Sequence, residues 1–224
     1  AFADGFHALA DAHGCPLIGG DTTRSAHDLA ISVTVFGAVP AGQALRRDGA
    51  QAGDDIWVSG ELGAADVAYR LLDGQYPADA SLLAATRDAL EWPQPQVALG
   101  LALRGIAHAA IDLSDGLLQD LGHILAASRV GACLEYARMP AATALAGLDE
   151  ALLRRAVLGG GDVYQLCFTA PAARRDAVAQ AARAANARVT RVGHTLAQAG
   201  LTVLDGQGQP MTALPAGFDH FPAA

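Results

Sequence analysis

Apolar and polar positions recur with two different periods near the start of this chain. Apolar residues 2, 6, 9 and 10 have helical spacing, which predicts a helix over residues 1–13 that ends at Gly14. Residues 29–36 alternate with a period of two, and residues 15–18 form a short apolar run, so both segments are predicted strands. Because the helical spacing is present from the first residue, we expect a fragment that begins inside a helix.

Beyond residue 42 the patterns predict a larger region in which strands and helices alternate irregularly. The predicted strands are 55–59, 109–113, 132–136, 164–169, 188–193 and 200–204, and the predicted helices are 61–72, 79–90, 96–107, 117–128, 149–157 and 172–186. This irregular order favours an α+β or mixed α/β fold over a parallel, doubly wound sheet. Pro40 lies in the least regular stretch, so we place a domain boundary there, between residues 1–42 and 43–224.

Composition excludes several classes of protein. The net charge is −8 and no basic cluster is present, which argues against nucleic-acid binding. No apolar run approaches the roughly 20 residues that a membrane-spanning helix needs. Cys15, Cys133 and Cys167 stand singly and without a CxxC pair, as reduced thiols do, so we expect a cytoplasmic protein.

The chain contains no lysine, since all 15 of its basic residues are arginine. A P-loop lysine, a protein-kinase strand lysine and a Schiff-base lysine are therefore impossible within it. Any phosphate chemistry must depend on metal ions, arginines and backbone amides.

Two acidic motifs, at residues 18–23 (IGGDTT) and 111–116 (IDLSDG), each follow an apolar run. Asp112 and Asp115 could share a divalent cation, because Mg²⁺ prefers oxygen ligands and often uses one or two carboxylates with substrate phosphates. Two simpler interpretations stay open. Ser114 and Asp115 could cap the following helix, and Asp21 could bond its own backbone in an Asx turn.

The remaining candidates also have simpler interpretations. The glycines of residues 159–162 could merely end a helix, and Arg47 could be an ordinary surface arginine instead of a phosphate ligand. The histidines lack the spacing of metal ligands, so none is assigned a catalytic role. No G-x-S-x-G motif is present, which weakens a hydrolase interpretation.

Taken together, the motifs resemble those of the bacterial thiamine-monophosphate kinase family, within the aminoimidazole ribonucleotide synthetase-like superfamily. The resemblance rests on residues 19–23, 45–50, 53–54, 111–117 and 217–221, in matching order over essentially the whole chain. It implies an α+β fold. Residues 1–42 would be the end of an N-terminal ATP- and metal-binding domain of mixed sheet and helices, and residues 43–224 a C-terminal α+β sandwich.

The family resemblance also implies an activity. A homodimer would transfer the γ-phosphate of ATP directly to thiamine monophosphate, with several Mg²⁺ ions, giving thiamine diphosphate and ADP. No acid–base residue is expected, because a phosphate monoester with a second pKa of about 6 is already largely ionised at neutral pH. Positioning would fall to Asp21, Asp112, Asp115 and Arg47. The implied contacts are Gly20, Asp21, Arg47 and Ser114 for ATP, Asp21, Asp112 and Asp115 for the metal, and Asp162 and Phe218 for the thiamine substrate.

Three departures from the family pattern keep alternatives open. Val163 and Gln165 stand where relatives have acidic residues, Gln96 stands where they often have arginine, and an earlier Gly-Asp-Asp motif is absent. The alternatives are another ATP-dependent synthetase of the superfamily, a catalytically silent nucleotide- or metal-binding protein, and a purely structural α+β protein. We expect this chain alone to be weakly active or inactive.

Overall fold

The computed structural model describes residues 2–218 and divides into two compact units, the first ending at Ala41 and the second beginning at Gly42. In the first unit, helix α1 spans Phe2–Ala12. It ends as the sequence predicts, because Gly14 takes a positive φ of 61° and the Cys15 amide donates to the Ala10 carbonyl at 2.9 Å.

The two strands predicted for the first unit are absent from the structure. Residues 15–18 and 29–36 have no regular secondary structure, and their apolar side chains are exposed, Leu29 to 86% and Val35 to 71%. A strand needs a neighbour to accept and donate its backbone hydrogen bonds. The described part of the first unit offers no such neighbour, so apolar alternation alone was insufficient.

The second unit contains a six-stranded mixed sheet. Its strands are β1 Asp54–Ser59, β2 Ala109–Asp112, β3 Gly131–Glu135, β4 Leu166–Pro171, β5 Val189–Leu196 and β6 Leu201–Leu204. Their order is β2-β4-β1-β5-β3-β6, and every pair is antiparallel except β3 with β6. This mixed sheet with its helices confirms the predicted α+β class.

Helices cover both faces of this sheet. The helices of the second unit are α2 Ala64–Leu72, α3 Ala80–Glu91, α4 Val97–Ala102, α5 Leu117–Ser128, α6 Glu150–Gly159 and α7 Arg175–Ala184. One core cluster joins α5 and α6 to the sheet through residues such as Leu121, Val157 and Ile111. A second cluster packs α4 and α7 against Phe168 on the opposite face. Among the described residues, no helix has the length and apolarity to cross a membrane.

Several predicted elements have different bounds in the structure, and two of the differences have a clear local cause. The helix predicted for residues 96–107 ends at Ala102, because a turn closed by the Ile106 amide on the Leu103 carbonyl follows, with Gly105 at a φ of +72°. The strand predicted to begin at Tyr164 begins two residues later. Tyr164 has a φ of +51°, which lies outside the β region.

Candidate functional site

The loop between β2 and α5 carries the second acidic motif and is held by a buried carboxylate. The amides of Ser114, Asp115 and Gly116 all donate to Oδ2 of Asp120, at 3.0, 3.1 and 3.1 Å. Asp120 is only 2% exposed, and burial raises its pKa despite these hydrogen bonds. The N-cap of α5 is Gly116, with no side-chain cap, so Ser114 and Asp115 do not cap this helix.

The glycine-rich loop between α6 and β4 lies directly against the acidic loop. The Asp162 amide donates to the Ser114 carbonyl at 2.9 Å, and the Tyr164 amide donates to the Leu113 carbonyl at 2.7 Å. A Cβ added to Gly161 would lie 2.5 Å from the Ser114 oxygen, so only glycine permits this approach. Because α6 ends at Gly159, the glycines also end the helix, as the simpler interpretation holds.

A third segment, residues 215–218, docks on the same loop. The Phe218 amide donates to the Asp115 carbonyl at 2.9 Å, and Nε2 of Gln119 donates to the Phe218 carbonyl at 2.6 Å. A Cβ on Gly217 would lie 2.5 Å from the Asp115 oxygen. The rest of the closing motif, residues 219–221, lies outside the described residues. Three segments distant in sequence therefore meet at two consecutive residues.

These segments line a cavity of about 460 Å³, here called the first cavity. Four of the eight predicted site residues line it, namely Ser114, Asp115, Asp162 and Phe218. Sequence reasoning did not find its other polar and aromatic residues, which are Asp66, Tyr69, Arg70, Arg155 and Tyr164. Four of them lie on helices α2 and α6, where no motif distinguished them from ordinary helix-surface residues, whereas Tyr164 belongs to the glycine-rich motif but was predicted as a strand residue.

The charge in the first cavity is uneven. On one side, the Tyr164 hydroxyl donates to Oδ1 of Asp162 at 3.2 Å, and burial together with the carboxylates of Asp162, Asp112 and Asp115 raises the pKa of Tyr164. These carboxylates thus create a negative potential at one hydroxyl.

Arginines line the other part of the first cavity. Nε of Arg70 donates to both oxygens of Asp66, at 3.0 and 2.8 Å, which neutralises that buried carboxylate. Arg155 contributes a further guanidinium to the lining. The cavity therefore offers carboxylates for a cation and arginine for an anion.

The protein would provide only some of the ligands of a divalent cation at this site. Within residues 2–218, no three histidine, cysteine, aspartate or glutamate side chains form a group that could hold a metal ion. The carboxylates of Asp112 and Asp115 nevertheless have the oxygen-only chemistry of Mg²⁺ ligands, and Mg²⁺ commonly takes one or two carboxylates and completes its shell with water and phosphate oxygens. The residues present fit that incomplete donor set.

Asp112 and Arg47 line a second cavity, of about 700 Å³. The neighbouring Arg46 pairs with Asp48, whereas the Arg47 guanidinium forms no ion pair with a described residue. The Arg47 carbonyl accepts from Oγ of Ser128 at 2.9 Å, which fixes the backbone there. Asp112 thus lines the second cavity and Asp115 the first, and both carboxylates raise the pKa of the Tyr164 hydroxyl.

The remaining two predicted residues, Gly20 and Asp21, lie in the first unit and are exposed. Oδ1 of Asp21 accepts from the Thr22 amide at 2.8 Å, which is the amide of the next residue, whereas an Asx turn bonds the amide two residues on. A site that joins Asp21 to Asp112 and Asp115 remains a prediction.

Of the departures from the family pattern, Val163 and Gln165 are not among the residues that line the first cavity, although Val163 stands between Asp162 and Tyr164, which do line it. Val163 and Gln165 line a third cavity, of about 400 Å³, beside Trp92. Oε1 of Gln165 accepts from Oγ of Ser59 at 2.7 Å, which links the residue before β4 to the end of β1. Gln96 makes only a local contact, with Nε2 donating to the Gln94 carbonyl at 3.0 Å.

Comparison with known proteins identifies the chain's relatives. Residues 51–206 match the family described as AIR synthase related protein, C-terminal domain, and residues 1–39 match the corresponding N-terminal domain. The chain is 38% identical to thiamine-monophosphate kinase of Salmonella typhimurium over 226 residues, covering 99% of this chain and 68% of that protein. The chain belongs to the thiamine-monophosphate kinase family. It spans about two thirds of the length of the curated kinases that it matches.

Solved structures of the thiamine-monophosphate kinase family agree with this assignment. The crystal structure of the enzyme from Stenotrophomonas maltophilia K279a is 46% identical, with a TM-score of 0.77 over 90% of this chain and 65% of that one. The structure of AaThiL complexed with AMPPCP and TMP is 27% identical, with a TM-score of 0.63 over 79% of this chain and 54% of that one. The predicted kinase family and fold are confirmed.

Proposed function

We propose that this protein transfers the γ-phosphate of ATP to thiamine monophosphate, giving thiamine diphosphate and ADP in an Mg²⁺-dependent reaction. The main support is that one cavity is lined by four residues predicted to contact the nucleotide, the metal ion or the thiamine substrate. They are Ser114, Asp115, Asp162 and Phe218. A family relative complexed with AMPPCP, an unreactive ATP analogue, and TMP supports the same pair of substrates.

Positioning and charge neutralisation are the chemical tasks of this site. The acceptor phosphate is largely ionised at neutral pH, so no general base is required. Asp112 and Asp115 would hold Mg²⁺, which when bound offsets the repulsion between the two sets of phosphate oxygens. Arg47 and Ser114 would bind ATP oxygens directly, and transfer would proceed without a phosphoenzyme.

The thiamine moiety of the substrate is cationic, so it would bind a carboxylate and an aromatic ring instead of cations. Its thiazolium ring carries this charge, and Asp162 provides a carboxylate on the lining of the first cavity. Phe218, 58% exposed, provides an aromatic face for stacking against a ring of the substrate. Asp21 and Gly20 would complete the nucleotide and metal contacts from the first unit.

Two wider features belong to the same proposal. We expect a homodimer in the cytoplasm, as the family resemblance and the free thiols of Cys15, Cys133 and Cys167 suggest. A catalytically silent binder, motivated by the missing N-terminal ligands and by Val163 and Gln165, is the alternative, and it predicts ATP binding without turnover.

Phosphorus NMR of the protein as its gene encodes it, with ATP, Mg²⁺ and thiamine monophosphate, tests this function. We expect the coupled signals of a new diphosphate ester. Asp112→Asn should lower kcat/KM by about 100-fold through loss of a charged ligand, whereas Asp176→Asn, an exposed change on α7, should not.

Three results would contradict the proposal. ATP consumption that ignores thiamine monophosphate would indicate a sister synthetase. ATP binding without turnover by the folded protein would indicate a silent binder. Capture of a phosphorylated side chain during turnover would exclude direct transfer.

A further inference from the structure

The backbone polar groups of Ser114 and Asp115 are all engaged within the protein. Both amides donate to Oδ2 of Asp120, together with the Gly116 amide. Their carbonyls accept from the amides of Asp162 and Phe218, each at 2.9 Å. One dipeptide thus connects a buried carboxylate to both of the segments that carry the proposed thiamine contacts.

Three successive amides that converge on one point form a concave anion site of the kind that binds phosphate at loops and helix N-termini. In this chain that place is filled by the carboxylate of Asp120 from inside the protein. A substrate phosphate therefore cannot use these amides. The loop can offer a ligand only side-chain oxygens, those of Ser114 and Asp115.

We infer that Asp120 is a positioning residue for the proposed reaction. The Asp120 carboxylate occupies the position that a phosphate would take against these three amides. By binding them it fixes the loop conformation in which Ser114 and Asp115 line the first cavity. Through the two carbonyls it also sets where Asp162 and Phe218 lie. Asp120 is buried and absent from the lining of the cavity, so it acts through these residues and not on the substrate. This inference rests on the proposed function for its chemistry, but its geometry can be tested alone.

Amide hydrogen exchange measured by NMR on the 224-residue chain tests the geometry without any substrate. We expect the Ser114, Asp115 and Gly116 amides to be protected in the wild type. In Asp120→Asn, which keeps the shape but loses the charge, they should exchange about tenfold faster, because hydrogen bonds to an ionised acceptor are roughly twice as strong as neutral ones. Rapid exchange of all three in the wild type, or unchanged exchange in the variant, would overturn the inference. The measurement on the wild type tests the inference even if the Asp120→Asn variant does not fold.

Asp54→Asn is a matched control for loss of a buried carboxylate. Asp54 is 3% exposed and accepts from the Gln51 amide at 2.9 Å, but it makes no contact with the acidic loop among its hydrogen bonds. This variant should free the Gln51 amide and leave Ser114, Asp115 and Gly116 protected. Equal deprotection of the loop in both variants would mean a general loss of stability and would overturn the inference.

Kinetics of the gene-encoded protein test the consequence. Asp120→Asn should raise both the Mg²⁺ concentration for half-maximal rate and the KM for thiamine monophosphate, by about 10-fold to 100-fold, as changes to groups that orient metal ligands commonly do. Asp54→Asn should leave both constants unchanged. If the wild type transfers phosphate and the Asp120 variant keeps wild-type constants, the inference fails. If the wild type transfers none, the proposed function fails, and hydrogen exchange still decides whether Asp120 holds the loop.

Discussion

At the scale of single residues, Tyr164 reports the charge of the candidate site. Its hydroxyl donates to Asp162, and burial and three nearby carboxylates raise its pKa. A pKa that is higher in the folded than in the unfolded protein means that the neutral phenol stabilises the fold. That contribution is complete below the unfolded value of about 10 and disappears as the pH rises through the folded value.

Asp112→Asn should lower the pKa of Tyr164, because it removes one of the negative charges that disfavour the phenolate. Ultraviolet absorbance titration of the variant and the wild type, each corrected by its Tyr164→Phe counterpart, measures that pKa. Asp176→Asn on α7 is the charge-matched control and should have no effect. An unchanged pKa in Asp112→Asn would show that this carboxylate does not contribute to the potential at the hydroxyl.

At the scale of elements, close backbone approach joins the loops that form the first cavity. Gly161→Ala should destabilise the protein by about 1 to 3 kcal/mol and reduce kinase activity, because the added Cβ would press on the Ser114 carbonyl. Urea unfolding and the phosphorus assay measure the two effects.

The same substitution at Gly122 is the control. Gly122 lies inside α5 with open space around it, so alanine should stabilise the helix by up to about 1 kcal/mol. Equal losses at Gly161 and Gly122 would refute the close contact.

Ion pairs around the buried carboxylate of Asp55 tie β1 to its neighbours. Asp55 accepts from Arg175 at 2.5 and 2.8 Å and from Arg191 at 3.2 Å. Burial alone would raise the pKa of Asp55, but the hydrogen bonds and charges of the two arginines outweigh it and hold the pKa below its usual range. The stabilisation is therefore present above pH 4 and disappears as the pH falls through this lowered value.

Asp55→Asn should accordingly reduce the free energy of unfolding by about 2 kcal/mol at pH 7, since hydrogen bonds between charged groups are lost. The difference from the wild type should shrink as the pH falls below about 4. Urea unfolding at a series of pH values measures it. A difference that is constant with pH would mean that packing, and not charge, accounts for the loss.

At the scale of the whole molecule, the second unit contains its own core. All of the buried hydrophobic residues described lie between Ala50 and Val203, whereas Leu29, Val35 and other apolar residues of the first unit are exposed. Residues 42–224 should therefore unfold cooperatively at a Tm close to that of the complete chain.

Calorimetry of the chain with residues 1–41 removed tests this expectation. Binding of a hydrophobic dye should decrease at the same time, because the exposed apolar segments of the first unit are gone. Loss of cooperative unfolding would show that the second unit depends on the first.

Local patterns along the chain determined much of this protein. Residue periodicity predicted both bounds of α5 and the presence of the six strands of the second unit. Composition excluded phosphate chemistry that depends on lysine. The acidic and glycine-rich motifs were also recognisable, because each places its polar residues next to a strand or helix end. These properties depend on neighbours in sequence, so sequence reasoning could reach them.

Only the tertiary structure decided how those parts meet. It brought the carboxylates of Asp112 and Asp115 near the Tyr164 hydroxyl, added Arg155 to the lining of the first cavity, and gave Asp120 its three amide partners. It also left residues 29–36 without a pairing strand despite their alternation. Hydrogen bonds, burial and electric potential depend on groups distant in the chain, and no local pattern specifies which distant groups will be close.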